Sequence, residues 1–432
     1  MLIVKSTAHC VVAIILLVAT HSVSAESSVA AELLTFDQAL RLALSSPAIT
    51  ANKNQIEAAQ FSAIPAGKLP DPSLILGIDN LPINTADQFS FTKDFMTMRR
   101  IGVMQEFPNR AKRQARIAVA KEKILVSQTE QSLTQRLVLK EAASAWIARY
   151  TLEQQLIYLD ALVNENNLFS ASVQAKIKNG SASVADAINP QEEFAEIIGR
   201  RDLLNARLIQ SKSQLYRWIG AAANAPLAGH LPDWPIAQED LLAHLHQHPD
   251  LAILQAKSGV VEAEIAEARA EKKSDWALTL AYQQRGPQLS DMMSAEVSID
   301  LPIFSGSRQN PKIAAKLAER SALTAEREMM LREHEATLRA DFSEYQRLNQ
   351  SVVRQAQVLL PLANKKIQLM QAAWRSGKTS LTELSNARRT AIEAHLILIE
   401  LMGQRAQLLA QLNLLYGNPA LMSTTIKVGA QQ

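Results

Sequence analysis

Apolar residues recur every three or four positions along most of this chain, and every second position in a few short stretches. Leu152, Leu156, Leu159 and Val163 follow the first rhythm, as do Leu408, Leu412 and Leu415. Such spacing puts one apolar stripe on a helix and suits coiled-coil packing. Trp276, Leu278, Leu280 and Tyr282 follow the second, alternating with Ala277, Thr279, Ala281 and Gln283. Ala295, Val297, Ile299 and Leu301 alternate in the same way with Glu296, Ser298 and Asp300. Period-two patterning predicts strands with one apolar and one polar face. A weaker pair of strands is expected at 73–79 and 100–106, with the stronger pair at 276–283 and 295–303.

The pattern occurs twice. Gln174-Ala175-Lys176-Ile177-Lys178-Asn179-Gly180 matches Gln371-Ala372-Ala373-Trp374-Arg375-Ser376-Gly377 at an offset of 197 residues, which also sets Phe107 on Phe304, Gln214 on Gln411 and Gly220 on Gly417. Two repeats follow, 26–220 and 236–417, joined by a linker at 221–235 that holds Pro232-Asp233-Trp234-Pro235 and followed by a tail at 418–432. Each repeat reads helix, two strands, very long helix, turn, return helix. The first helices fall at 37–64, with Asp37 as a candidate cap, and at 238–273. The long helices run from Pro108 to Gly180 and from Pro311 to Gly377, about 108 and 100 Å at the α-helical rise. Pro361 is expected to kink the second. The return helices, 184–219 and 381–416, reach only about 54 Å each. A first helix and a return helix stacked end to end therefore match one long helix, which describes a tall cylinder.

Composition narrows what such a cylinder can be. Glycine is scarce at 14 residues and aromatics make up 5% of the 432-residue chain, which suits long helices rather than an all-β protein. A net charge of +3 without basic clusters gives no nucleic-acid surface. Residues 1–25 read as a secretory signal peptide: Lys5, the apolar run Val11 to Val18, and Val23-Ser24-Ala25 at the cleavage positions. The only cysteine, Cys10, lies inside it, so the mature chain is expected to have neither disulfide nor thiolate site. No later apolar run is long enough for a membrane helix. Export without a membrane helix leaves a periplasmic, secreted or outer-membrane β-barrel protein.

Four strands cannot close a barrel, and open edges are not tolerated in lipid. A lipid face of Trp276, Leu278, Leu280, Tyr282, Val297 and Ile299, with aromatics at both ends, suits a barrel shared between copies. Glu296, Ser298 and Asp300 would then face a wet lumen. Eight strands, from two copies, have an interior filled by side chains, whereas twelve, from three, leave room for a channel. The residues leave this number open. They also leave open a four-stranded sheet packed on a helix in a soluble protein.

At this point the chain resembles the TolC-like outer-membrane factor family over essentially its whole mature length. Two turns carry the resemblance, Ile177-Lys178-Asn179-Gly180-Ser181-Ala182-Ser183-Val184-Ala185-Asp186-Ala187 and Trp374-Arg375-Ser376-Gly377-Lys378-Thr379-Ser380-Leu381-Thr382-Glu383-Leu384. So do two strand-to-helix junctions, Gln105-Glu106-Phe107-Pro108 with Lys112-Arg113, and Leu301-Pro302-Ile303-Phe304-Ser305-Gly306. The resemblance implies a mainly α fold: an antiparallel coiled-coil barrel across the periplasm, topped by a trimeric 12-stranded transmembrane β-barrel. It implies a homotrimer in outer-membrane lipid that meets a periplasmic adaptor (membrane fusion protein) and, through it, an inner-membrane RND-type transporter. It further implies that the turns form the periplasmic mouth. Gly180, Ser181, Val184, Gly377, Lys378 and Leu381 would dock the adaptor, and Asp186 and Glu383 would ring the gate. The first junction is most similar to the heavy-metal and cation branch, although Ala111 stands where that branch usually has glycine. Asn386 replaces a further gate acid, and the lipidated cysteine of many relatives has no counterpart. On the residues themselves, Asp186 and Glu383 equally fit the favourable helix-dipole position of a first turn, and Gly180 and Gly377 are first of all helix caps.

Other chemistry is absent. His244, His246 and His248 do not share one helix face, and His230, His334 and His395 are isolated in sequence, so no metal site is expected. No nucleophile motif, phosphate loop or dinucleotide fingerprint occurs, and neither enzymatic activity nor a cofactor is expected. The leading reading is an exit duct of an efflux pump for metal cations or drugs. A duct for type I protein secretion and a pore-free periplasmic coiled-coil scaffold are the alternatives.

Overall fold

A computed structural model describes residues 33–84 and 86–417 of the chain. The expected signal peptide with Cys10 and the tail at 418–432 lie outside these residues. The elements follow in the order α1 (Phe36–Ala43), α2 (Pro47–Ala63), β1 (Ser73–Asp79), β2 (Met98–Phe107), α3 (Arg110–Lys178) and α4 (Ile188–Ile219). After the linker come α5 (Gln238–His244), α6 (Pro249–Ala270), β3 (Trp276–Gln284), β4 (Met292–Ile299), α7 (Gln309–Arg354), α8 (Leu360–Arg375) and α9 (Leu381–Tyr416). Among the described residues no helix is long and apolar enough to cross a membrane.

The 69 residues of α3 rise about 104 Å and set the height of the molecule. Helices α2 and α6 pack along its sheet-proximal part, and α4 and α9 along the part that leads to the far turns. Between these levels lies the largest core. Trp146 is fully buried there, edge-on to Phe36 at 5.4 Å and stacked on Tyr150 at 5.2 Å, and its Nε1 donates to the Leu34 carbonyl. Arg149, 2% exposed, donates to the carbonyls of Ala223 and Ala225 and pairs with Glu153, which fastens the start of the linker to α3. The Leu152–Val163 stripe forms the next core layer together with Ile197, Leu204 and Ile392.

Proline corrects the expected helices. The stretches 37–64 and 238–273 are each broken in two, because Pro47 and Pro249 start new helices at their first position. A proline has no N–H to continue the preceding helix, whereas its fixed φ suits a first turn. Thr35, not Asp37, caps α1 through a capping box with Gln38. Pro361 produces no simple kink. The turn before it, Gln355–Leu359, is π-helical, which absorbs the missing hydrogen bond and the clash with the preceding carbonyl. The first return helix opens with a 3-10 turn at Val184–Ala187 before α4 begins.

The four strands form one antiparallel sheet in the order β1-β2-β3-β4, so the two repeats meet at β2 and β3. The last strand is Met292–Ile299 rather than 295–303. Pairing of Met292 with Gln283 starts it earlier, where two adjacent methionines hide the alternation. Past Ile299 one further bond runs from the Asp300 N–H to the Asp275 carbonyl, after which Pro302 and a turn lead into α7.

Candidate functional site: an apolar sheet face and two helical tips

Register decides which side chains share a face of the sheet. Val103 of β2 lies opposite Leu74 and Leu280, and Ile101 opposite Leu76 and Tyr282. On β4, Val297 lies opposite Leu278, Ile299 opposite Trp276, and Met293 opposite Tyr282. All six expected lipid-face residues, Trp276, Leu278, Leu280, Tyr282, Val297 and Ile299, therefore stand on one side, continuous with Leu74, Leu76 and Ile78. Most of this face is open: Leu76 is 68% exposed and Met293 80%. A soluble sheet would pack such a face on a helix. Here the helices meet the sheet end-on, through its junctions. Glu296 and Ser298 point to the opposite side, which also carries Thr279, Glu106 and the Arg100–Asp79 ion pair. That side is lined by small residues where strands approach closely. A Cβ on Gly102 would meet the Ala281 Cβ and the Leu280 carbonyl at 2.8 Å. Among the described residues, the outer strands β1 and β4 each keep one edge unpaired.

One node fixes the sheet to the stalk. Asn109 caps α3 through the Lys112 N–H, and the Asp275 carboxylate accepts from the Asn109 backbone and side chain and from Lys112 Nζ. Burial pushes the Asp275 carboxyl up, but the Lys112 and Asn109 hydrogen bonds outweigh it and hold the group below the usual carboxylate range. The stacked pair Phe107–Trp276, 4.1 Å between rings, lies beside this node.

At the other end both turns are Schellman motifs. Gly180 and Gly377 adopt φ of +69° and +71°, which only glycine takes without strain. In the first, Ser181 N–H donates to the Lys176 carbonyl and Gly180 N–H to that of Ile177; in the second, Lys378 donates to Ala373 and Gly377 to Trp374. The acids that follow are capping-box members. Asp186 accepts from the Ser183 N–H at 2.9 Å, and Glu383 from the Ser380 N–H at 3.3 Å and from the Thr379 hydroxyl. The Thr379 hydroxyl, then the Ser380 backbone, hold the Glu383 carboxyl below its ordinary range.

The two tips are not equivalent. Gly180, Ser181, Gly377 and Lys378 are exposed, and Val184 is 78% exposed. Its repeat partner Leu381 is 2% exposed, buried with Phe169, Val173 and Leu384. Leu381 is thus a core residue in this chain rather than a free docking contact. It is buried because α9 begins at Leu381 itself, whereas a 3-10 turn carries Val184 away from the core.

Residues 243–418 match the model of the outer membrane efflux protein family. No curated protein matches it in sequence. Among solved structures it is similar to a membrane protein from Pseudomonas aeruginosa, with a TM-score of 0.77 at 16% identity, over 89% of this chain and 90% of that one. It is also similar to CusC, with a TM-score of 0.73 at 17% identity over 89% and 92% of the two chains. The outer membrane protein VceC from Vibrio cholerae gives 0.73 at 16% identity over 89% and 96%. At these identities the likeness is one of fold: a mainly helical chain with a four-stranded antiparallel sheet.

The tips are tied together by contacts between residues far apart in the chain. Lys176 Nζ sits 3.7 Å over the Trp374 ring, so the end of α3 grips the end of α8. Arg388 on α9, 6% exposed, spans Glu193 of α4 with three contacts of 2.9–3.1 Å, reaches Glu165 of α3 at 3.0 Å and lies over the Phe169 ring. Glu193 and Arg388 are 195 residues apart in sequence, so only the antiparallel return of both hairpins reveals the pair. The histidines set aside in sequence also change status. His248 is buried and meets His334 and Asp250, while the His244 ring bonds the Asp240 carbonyl of its own helix.

Proposed function

We propose that this chain is an outer membrane efflux protein, three copies of which assemble into the exit duct of a tripartite pump, conducting substrate passively from an adaptor and inner-membrane transporter to the exterior. One observation carries the reading: a four-stranded sheet whose outer edges are open among the described residues and whose one face is largely apolar, mounted on a helical stalk about 100 Å tall. Three such sheets, joined edge to edge, close a barrel whose apolar face meets lipid and whose Glu296 side meets water. The stalk then reaches across the periplasm, and the tips form its mouth.

Within this reading Gly180, Ser181, Val184, Gly377 and Lys378 meet the adaptor, with Val184 as the apolar contact. Asp186 and Glu383, three of each in a trimer, line the constriction and favour cations. Metal cations or drugs are the cargo, and the junction Gln105-Glu106-Phe107-Pro108 with Lys112-Arg113 favours the metal-cation branch.

Crosslinking of outer-membrane fractions tests the assembly, with a trimer band expected. A soluble periplasmic monomer overturns the duct and favours the scaffold. Deleting the gene is expected to cause hypersensitivity to metals or drugs, whereas loss of a secreted protein alone points to type I secretion. For the gate, Asp186→Asn with Glu383→Gln removes charge while keeping oxygens for the caps. Planar-bilayer recordings are expected to show reduced cation selectivity, and unchanged selectivity removes the gate role. For the tips, Gly180→Val or Gly377→Val forces a β-branched residue to positive φ, at about 1–2 kcal/mol. Efflux is expected to fall while the trimer stays in the membrane, and normal resistance counts against docking there.

A further inference from the structure

Beyond the duct itself, a buried cluster brings three metal-ligating side chains together from distant parts of the chain. His248 caps the start of α6, Asp250 stands in its first turn, and His334 projects from α7, 84 residues later. Their ligating atoms lie within 4.8 Å of one another. Asp250 Oδ2 is 3.1 Å from His334 Nε2 and 3.6 Å from His248 Nδ1. The His248 and His334 rings are 4.4 Å apart, and Tyr416 at the end of α9 lies against both. His248 is only 4% exposed, and its Nε2 has no hydrogen-bond partner among the described residues. A buried imidazole nitrogen without a partner is costly; His248 Nδ1 accepts the Asp250 N–H, so ligation through Nε2 would offset that cost while keeping the cap.

We infer that His248, Asp250 and His334 form a binding site for one borderline divalent transition-metal ion, such as Zn2+, that clamps α6 to α7. Two imidazoles and a carboxylate are the donor set such ions prefer, and the fourth position is left for water. The lack of thiolate or thioether among the three donors disfavours Cu(I). Binding requires neutral imidazoles. Burial first, then the neighbouring His334, push the His248 imidazole down from its ordinary value. The His334 hydrogen bond holds the Asp250 carboxyl below its ordinary value. Tyr416 Oη lies 3.4 Å from His334 Nδ1 and acts as a positioning residue, fixing the ring through the nitrogen not used for the metal. Burial, reinforced by Asp341 and Asp250, keeps that phenol neutral, at about 12. Arg136, the cation that acts on His248, is occupied by the Leu415 carbonyl.

The test uses the full-length protein in detergent, stripped with a chelator, dialysed, and titrated with Zn2+ in a calorimeter. One ion per chain and a raised Tm are expected. His334→Gln and Asp250→Asn are each expected to abolish the stoichiometric site. Tyr416→Phe is expected to weaken it about 10–100-fold, as loss of an outer-shell partner does. Melting of every variant in chelator establishes that it is folded. His244→Asn with His246→Asn, which alters the neighbouring histidines outside the cluster, is expected to bind Zn2+ as the parent does. The proposal is overturned if the parent binds less than one ion per chain, if His334→Gln and Asp250→Asn bind as tightly as the parent, or if the His244 and His246 variant is the one that loses the ion. All three readouts are independent of transport, so failure of the duct reading leaves them unaffected.

Discussion

Replacing Arg388 by alanine is expected to cost about 3–5 kcal/mol at the tip end of the stalk, the usual effect of removing one partner from a buried ion pair. Glu193, 5% exposed, would keep its charge with no guanidinium beside it. Glu165 would lose little, because its side chain is 60% exposed and water takes over. The cation–π contact with Phe169 would go as well. In so long a stalk the loss is expected as local opening of α4 and α9 rather than global unfolding. Hydrogen exchange on the purified protein measures it: amides around 188–200 and 381–395 should exchange faster, and those around Trp146 should not. Arg388→Met with Glu193→Leu removes both charges and is expected to restore most of the protection. Equal exchange in the single variant and the parent would show that the pair holds nothing together.

The second large effect concerns the membrane. Leu280→Arg puts a guanidinium in the middle of the apolar face, opposite Val103 and Ala295. At a bilayer midplane this costs about 2–4 kcal/mol per chain, and a trimer would bear it three times. Outer-membrane trimer is expected to be largely lost. Glu296→Arg, next to Ala295 on the same strand but on the other face, is expected to insert normally and to lower cation selectivity. The contrast between neighbouring register positions is the diagnostic. If both variants insert equally well, the apolar face does not meet lipid.

Much of the fold can be read from the sequence because its elements are long or strictly periodic. The bounds of α9 and β1 match the pattern, and α3 and β3 nearly so, since helix and strand periods depend on neighbours within a few residues. Errors fall where one residue type outweighs the period. Pro47, Pro249 and Pro361 each act on backbone hydrogen bonding, and Met292-Met293 hides the start of β4. The tip glycines were legible because their positive φ is a property of single residues. The fate of their neighbours was not: Val184 and Leu381 hold equivalent positions in the repeat, yet one is exposed and the other buried.

The repeat, the helix lengths, the alternation of the strands and the placement of the turn glycines and capping acids are all legible in the order of residues. All of these follow from local periodicity and from the backbone preferences of glycine, proline and capping residues. That the apolar positions of four strands form one continuous face emerges only on folding, because strand register joins residues as distant as Leu74 and Ile299. Folding likewise pairs Arg388 with Glu193 and gathers His248, Asp250 and His334. Those meetings depend on which helices return beside one another, and contacts made across 84 or 195 residues leave no periodic trace in the chain.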